Sequence, residues 1–585
     1  MRIHFSIKYS VLLMAILLTP GGMMHAQQLD IDEIQVIAPY EPTISDAFKI
    51  NINPSIEDTV RVQLDFDYTI SPQKALTSFQ LAPIAPARMR GEPLPGLYRG
   101  HVKGGYGSYQ TPYFEAFYNT LRSNQHALGV HVRHISSGKE IEDHPHSLFS
   151  RNRASIHGTR FFRNNSLKAG VLYDRHVIHY YGFPYGRFIP GKQSNPFPIL
   201  APEASDVRQR HEFISSHLGF GNSRSNTEGF QYHVDLGHHW YRDRYRGNEH
   251  QFSFGGTIGG EIGPDPFGIA DKQHIRIDMH ADYFYQENPL NVFNSGIYSL
   301  SPVLESTIGR LQFHIGVNMA VEDDNGSYQL MTYPLAGLQV NIVDERLMAY
   351  VDWSGGLEKQ SWRLLSESNP FVMPSPTSAF TNVRSRIGGG LQGSISNRVS
   401  YALSLTNSHI DNHPFFVRVL AHDAAIIGSP AISWQYPFMV IYDDISLLHF
   451  NAEVLARIGE PFSVRLRGEV FDYTTGTQQE AWHKPAYLLS LNSRYSIRGK
   501  LILTAGLYGR GKTYGGIFNS PLPLMTSSHK LHDFVLDANL GIEYRYTELL
   551  SIFLNFTNVM DETYEKWLYY PRQGFGFLGG ISATF

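Results

Sequence analysis

The chain has no cysteine, which removes disulfide scaffolds, thiol-dependent enzymes, zinc-thiolate sites and iron–sulfur proteins from consideration. Charged residues are also scarce, at 17% of the sequence against a usual ~25%. With 42% hydrophobic and 13% aromatic residues, the composition is the opposite of a disordered chain, which is charge-rich and poor in aromatics. No basic excess exists to neutralise phosphates, since the formal charge is -4, so nucleic acid is not an expected partner. Runs of 18 consecutive apolar residues are missing as well, which excludes an apolar transmembrane helix.

What the first residues do contain is a secretory signal pattern. Arg2 and Lys8 precede an apolar stretch from Val11 to Leu18, and Met24-His25-Ala26 offers a small residue before Gln27. The expected organisation is a signal peptide at 1–26, a Pro-rich segment at 27–96 and a large β region at 97–585. An exported chain without apolar helices is either soluble outside the cytoplasm or crosses a membrane as a closed β-barrel.

Periodicity separates the two. Ile275, Ile277, Met279, Ala281, Tyr283 and Tyr285 alternate with Arg276, Asp278, His280 and Asp282. Leu448, Phe450, Ala452, Val454, Ala456 and Ile458 alternate with His449, Asn451, Glu453 and Arg457. After the turn Gly459-Glu460 comes Phe462, Val464, Leu466 and Val470 against Ser463, Arg465, Arg467 and Glu469. Phe534, Leu536, Ala538, Leu540, Ile542 and Tyr544 share a face opposite Asp537, Asn539, Glu543 and Arg545. Such runs exceed the ~5–6 residues of a globular strand and match the ~9–11 needed to cross a bilayer tilted. Tyrosines near their ends, such as Tyr283, Tyr285, Tyr544 and Tyr546, suit the headgroup level. The expected fold is all-β, a transmembrane antiparallel β-barrel of about 22 strands.

Connections alternate in length as such a barrel requires. Long connectors are expected at 137–150, 182–206, 359–378, 514–530 and 560–572, and tight turns at 164–165, 308–309, 343–345, Arg498-Gly499-Lys500 and Thr547. The strand count is 22 to 24, blurred between His409 and Asp444 by Pro414, Pro430 and Pro437.

The stretch Leu554-Asn555-Phe556-Thr557-Asn558-Val559-Met560-Asp561-Glu562-Thr563-Tyr564, followed by a closing strand ending in Phe585, resembles the C-terminal end of TonB-dependent receptor barrels. The resemblance implies a Gram-negative outer-membrane location, contact with outer-membrane lipid, and Phe585 as a signal to the barrel assembly machinery. Asp32, Glu33, Ile34, Gln35, Val36 and Ile37 resemble the TonB box, the extended segment that pairs with TonB by strand addition. The family carries a plug of over a hundred residues between box and barrel. Here only 39–96 is available, and it is rich in proline. A barrel this wide must then be closed by its linker, by inward-folded loops, or by another polypeptide such as a plug or surface lipoprotein.

Motifs that mimic catalytic sites fail on context. Gly506-Leu507-Tyr508-Gly509-Arg510-Gly511-Lys512-Thr513 fits the P-loop expression, but Tyr514-Gly515-Gly516 and the prolines after it cannot continue as the required helix. Gly388, Gly390 and Gly393 have dinucleotide spacing inside what reads as a strand. His144 and His146, beside Asp143, are weak metal-ligand candidates on a loop, whereas His238 and His239 point to opposite faces of a strand. His233, Asp235, His280 and Asp282 are weak candidates for a polar ligand site on the inner wall, with ordinary wall polarity as the alternative. No catalytic constellation stands out, so the chain is not expected to be an enzyme, and no cofactor is implied. Two functions stay open: nutrient transport across the outer membrane, and a non-transporting barrel that scaffolds an outer-membrane complex.

Overall fold

The computed structural model describes residues 97–182, 202–222, 229–263, 272–419, 438–519 and 525–585. The signal peptide, the box-like residues 32–37 and the Pro-rich segment to residue 96 lie outside the described residues. From Gly100 onward the chain forms one 22-stranded antiparallel sheet, in which strands consecutive along the wall are neighbours. It closes on itself because Gly100–Gly107 pairs with Thr111–Asn119 on one side and with Gly576–Thr584 on the other. The last residue completes the seam. The Phe585 carbonyl accepts from the N–H groups of Arg99 and Gly100, both at 2.8 Å, and its own N–H donates to the Gly100 carbonyl at 2.9 Å.

Alternation fixes which side faces out. Ile156, Val171, Leu236, Phe252, Ile315, Leu405 and Leu466 project from the outer surface with 44 to 60% exposure, forming the apolar belt that a hydrocarbon solvent requires. Their neighbours turn inward and pair along the wall: Arg151 with Asp174 at 2.8 Å, Arg276 with Glu305 at 3.1 Å and Arg467 with Glu469 at 3.1 Å.

The two rims differ. One carries the tight turns, among them Arg498-Gly499, where φ is 51° and 66°, and Thr547, whose hydroxyl accepts from the N–H groups of Leu549 and Leu550. The left-handed backbone at Gly499 is what a two-stranded reversal of this length demands. The opposite rim carries the long connections. Its strands run far beyond a bilayer: Val399–Val419 and Phe438–Ile458 have 21 residues each, about 70 Å of chain at ~3.3 Å per residue, against a ~30 Å hydrocarbon core. The connector expected at 514–530 is overturned for the same reason. Leu501–Asn519 and Met525–Arg545 stay paired up to Asn519 and Met525, because alternation continues past the glycines that suggested a loop. Pro414 sits within a paired strand beside a register shift between Ile410 and His413, where one strand bends.

That bend carries the strand end inward. Val417, Arg418 and Val419 run parallel to Gly516, Ile517 and Phe518, although the two strands are not neighbours in the wall. Around this bridge lies a buried core, built at the long-loop rim by Tyr180, Leu365, Val372, Phe416, Phe438 and Tyr570. A second cluster sets Trp482, fully buried, against Phe415, Val417 and Ile445. Among the described residues, these buried apolar clusters form a roof made of strand ends and loops.

Candidate functional site

The segment 360–379 is one part of the roof that reaches the inner wall. Its short helix Trp362–Ser368 is capped by Ser361, whose Oγ accepts from the Leu364 N–H at 3.3 Å. Trp362 buries its ring against Phe213 and Tyr241 of the wall, and its indole N–H donates to the Pro376 carbonyl at 2.8 Å. Glu249, buried, accepts from the N–H groups of Trp362 and Arg363 and from Gln286 Nε2 at 2.6 Å. Further along the segment, the Pro370 carbonyl lies 3.0 Å from His211 Nε2, and Tyr180 donates to the Val372 carbonyl at 2.9 Å. One connector is thus fastened to three neighbouring wall strands and to Tyr180, just past the end of a fourth.

Arg363 links this helix to the wall polarity beneath it. Its Nη2 donates to Gln251 Oε1 at 3.4 Å, and Gln251 Nε2 donates to Asp282 Oδ1 at 3.1 Å. Asp282 also accepts from the Ser253 hydroxyl at 2.5 Å and meets His280 Nε2 at 2.7 Å. The other expected pair, His233 and Asp235, is likewise in contact, at 2.7 Å. The structure places both His–Asp pairs on the inner wall but does not merge them. Gly255 lies between Asp235 and His280 in register, so the pairs stand two strand spacings apart, roughly 10 Å at ~4.8 Å per step. The connected polar track runs from Arg363 through Gln251 to Asp282, its hub, with the His233–Asp235 pair apart from it. Further along the polar face, a recess of ≈ 520 Å³ is lined by Lys272, His274, Glu305, His314, Tyr350 and Asp352.

His144 and His146 are placed differently from a metal site. His146 Nε2 lies 2.8 Å from the Pro202 carbonyl and its N–H donates to Glu140 at 2.7 Å, tying one loop to the next, while His144 stacks edge-on to Tyr181. Among the described residues no group of three His, Asp or Glu side chains is arranged to hold a metal ion.

The C-terminal motif acquires a physical meaning here. Asn558, with φ of 49°, closes the neck of the loop 558–575: its Nδ2 donates to the carbonyls of Glu562 (2.9 Å) and Gln573 (3.2 Å), and its N–H donates to Asn539 Oδ1. Asp561 Oδ1 accepts from the Phe575 N–H at 2.6 Å, and Tyr564 donates to Asp537 at 3.4 Å. Above the neck, Tyr570 stacks on Phe371 with ring centroids 3.9 Å apart and meets Tyr181 edge-on at 4.9 Å. His483, from the loop 476–486, joins the same assembly. Its Nδ1 lies 3.0 Å from the Phe416 carbonyl and Nε2 accepts from the Leu568 N–H at 3.3 Å, which places the proton on Nδ1. Burial lowers the His483 pKa to about 3, so the ring is neutral.

Sequence reasoning did not identify Glu249, Trp362, Arg363 or His483. Alternation would have put Gln251 and Ser253 on the face of Asp282, but nothing local says that 360–379 folds inward.

No family model matches the chain, and no curated protein sequence does. Solved structures do. The pyoverdine outer membrane receptor FpvA of Pseudomonas aeruginosa PAO1 is similar with a TM-score of 0.61 at 12% identity, over 84% of this chain and 79% of that one. The FrpB iron transporter of Neisseria meningitidis gives 0.61 at 9% identity over 84% and 82%. The ferric-catecholate import receptor Fiu of E. coli K12 gives 0.57 at 10% identity over 84% and 82%. This chain's 22-stranded barrel thus shares its fold with those receptors.

Proposed function

We propose that the chain is an outer-membrane receptor that admits a nutrient through its lumen, with its own loops serving as the closure of the mouth. The observation that carries this reading is the fastening of 360–379 across the inner wall by Glu249, directly above the polar track through Gln251 and Asp282. A barrel built only to scaffold a complex has no need of a roof docked over a polar path. The tight-turn rim, which holds Phe585, faces the periplasm in this reading, and the long-loop rim faces outward. Residues 32–37 would lie on the periplasmic side and pair with TonB through backbone hydrogen bonds. Phe585 would be read by the assembly machinery, and a plug or surface lipoprotein partner would complete the closure. The fold likeness to FpvA, FrpB and Fiu supports a transport role and leaves the substrate open.

The test is a deletion of residues 30–38 in the native strain, compared with the wild type and a full deletion across a panel of nutrients. Loss of growth on the same nutrient in both deletions supports energised import. A full-deletion defect that the short deletion does not share would favour the scaffold reading, which the brevity of 27–96 beside a plug also favours.

A further inference from the structure

The strands Ser327–Val343 and Leu347–Lys359 part company partway up the wall. Their ladder runs from the Val343–Leu347 pair to the Ala336–Trp353 pair and stops there. Beyond Trp353 the second strand shifts register against Phe380–Ser396, between Ser354 and Gly356, and crosses to the lumen side of its neighbours. Asn318 Nδ2 donates to the Gly355 carbonyl at 3.3 Å. A Cβ at Gly355 would come within 2.7 Å of the Tyr333 ring, so the missing side chain lets the backbone pass. The Tyr333 hydroxyl, donating to Asn382 at 2.8 Å, bridges the inner side of the gap.

Among the described residues, 327–335 therefore has a strand on one side alone, Leu311–Asp324. The Asn341 N–H donates to the Arg310 carbonyl at 3.0 Å, and that ladder has no register shift. Odd-numbered residues of Ser327–Val343 thus turn their backbone groups to this partner, and even-numbered ones turn theirs away. Tyr328, Leu330 and Thr332 aim N–H and C=O at the open side. Pro334 sits at the foot of the edge, where its missing N–H forfeits no ladder bond. The same even-numbered residues face outward, with Tyr328 69% and Leu330 67% exposed.

Counted from Val343, a crossing of ~9–11 residues leaves 327–333 beyond the hydrocarbon. An open edge in water is a template for another strand, and proteins ordinarily blunt such edges with lysine or cover them. No lysine or arginine occurs anywhere in 311–343, and the hairpin carries Glu322, Asp323 and Asp324 near its tip instead.

We infer that 327–333 is a docking edge for an extended, basic segment of a partner polypeptide, which adds one more strand to the wall at the long-loop rim. The backbone groups of Tyr328, Leu330 and Thr332 supply the ladder. Alternate apolar side chains of the segment lie beside Tyr328 and Leu330, and its basic end answers the hairpin carboxylates. A second copy of this chain does not fit. Two barrels in one membrane share an orientation, so edge strands tilted ~35–45° cross where they meet and form no ladder. The inference goes beyond the transport reading, because it holds whether or not a solute passes through the lumen.

The full-length protein in detergent is titrated with a fluorescent peptide of about eight residues, long enough to span the edge, alternating valine and threonine with arginine at one end. Saturable binding is expected by anisotropy. The same peptide N-methylated throughout should bind about tenfold or more weaker, as should a version with glutamate for arginine. Leu330→Pro removes one edge N–H without touching the ladder to Leu311–Asp324, and should weaken binding similarly. Because the chain has no cysteine, disulfide trapping gives a second measurement that does not need the proline variant to fold. Thr332→Cys should capture a cysteine-bearing peptide, and Leu338→Cys, on the same face where the strand is paired on both sides, should not. Equal binding of the N-methylated peptide, unchanged affinity in folded Leu330→Pro, or equal capture at 338 would each overturn the inference. So would Thr332→Cys linking two copies of the chain in preference to the peptide.

Discussion

Glu249 accepts the N–H groups of Trp362 at 2.7 Å and Arg363 at 3.2 Å, so a wall carboxylate serves as the N-terminal partner of a helix that begins 113 residues later. Replacing it by alanine removes the acceptor of both helix donors and of Gln286 Nε2, at about 1–3 kcal/mol for each buried donor left unsatisfied. Trp362→Ala should cost about 3–5 kcal/mol of the same docking by removing a buried aromatic. Both are expected to release 360–379 while the barrel stays folded. Hydrogen exchange across 362–368 should accelerate, and conductance through planar bilayers should rise. Unchanged exchange in Glu249→Ala would mean that the Trp362, His211 and Tyr180 contacts hold the segment without it.

Roof stability should fall in acid, and the sign follows from His483. Its ordinary pKa of 6.5 drops to about 3 in the roof, through burial first and then the positive fields of Arg510, Lys484 and Arg418, against the opposing pull of the Phe416 carbonyl. The docked ring stays neutral while a released ring takes up a proton below 6.5. The contribution is thus complete above pH 6.5 and lost progressively as pH falls from 6.5 toward 3. Exchange of the amides in 564–571, corrected for intrinsic rate, should rise between pH 7.5 and 4.5. His483→Gln keeps a donor and an acceptor but cannot titrate, and should flatten that rise.

The wall was legible in the sequence because its signal is local. In Ile275 to Tyr285 each residue announces its side, and 22 such segments with alternating turn lengths define the barrel. Asn558 and Asp561 were legible as a motif, though their work as the latch of a loop neck emerges only from the carbonyls they reach across the loop. The inward pairs His233–Asp235 and His280–Asp282 follow from spacing of two on a strand. The roof did not follow. Glu249 and Trp362, or Arg418 and Gly182, meet across more than a hundred residues, and such contacts leave no periodicity to read.

Asp282 gathers Gln251, Ser253 and His280, so Asp282→Asn should change what passes the wall more than whether the wall forms. The neutral amide can still bond the hydroxyl and the glutamine, but removes a negative charge beside the path. In bilayers carrying a Glu249→Ala background, opened as above, the reversal potential in a salt gradient should move toward anions. An unshifted potential would place the ionic path away from Asp282.

Ile315 and His314 are adjacent on Leu311–Asp324 and face opposite solvents. Ile315 is 60% exposed on the outer surface, whereas His314 turns inward and lies 3.5 Å from Asp352. Arginine at the two positions should therefore behave oppositely. At 315 it enters hydrocarbon, at a cost of about 2–4 kcal/mol near the bilayer midplane. At 314 it gains Asp352 as a partner in a hydrated wall and should be nearly neutral. The folded fraction after insertion into lipid vesicles, read by heat-modifiable migration, separates them. Equal tolerance would mean that water bathes both faces, and the outer belt would lose its assignment as a lipid surface.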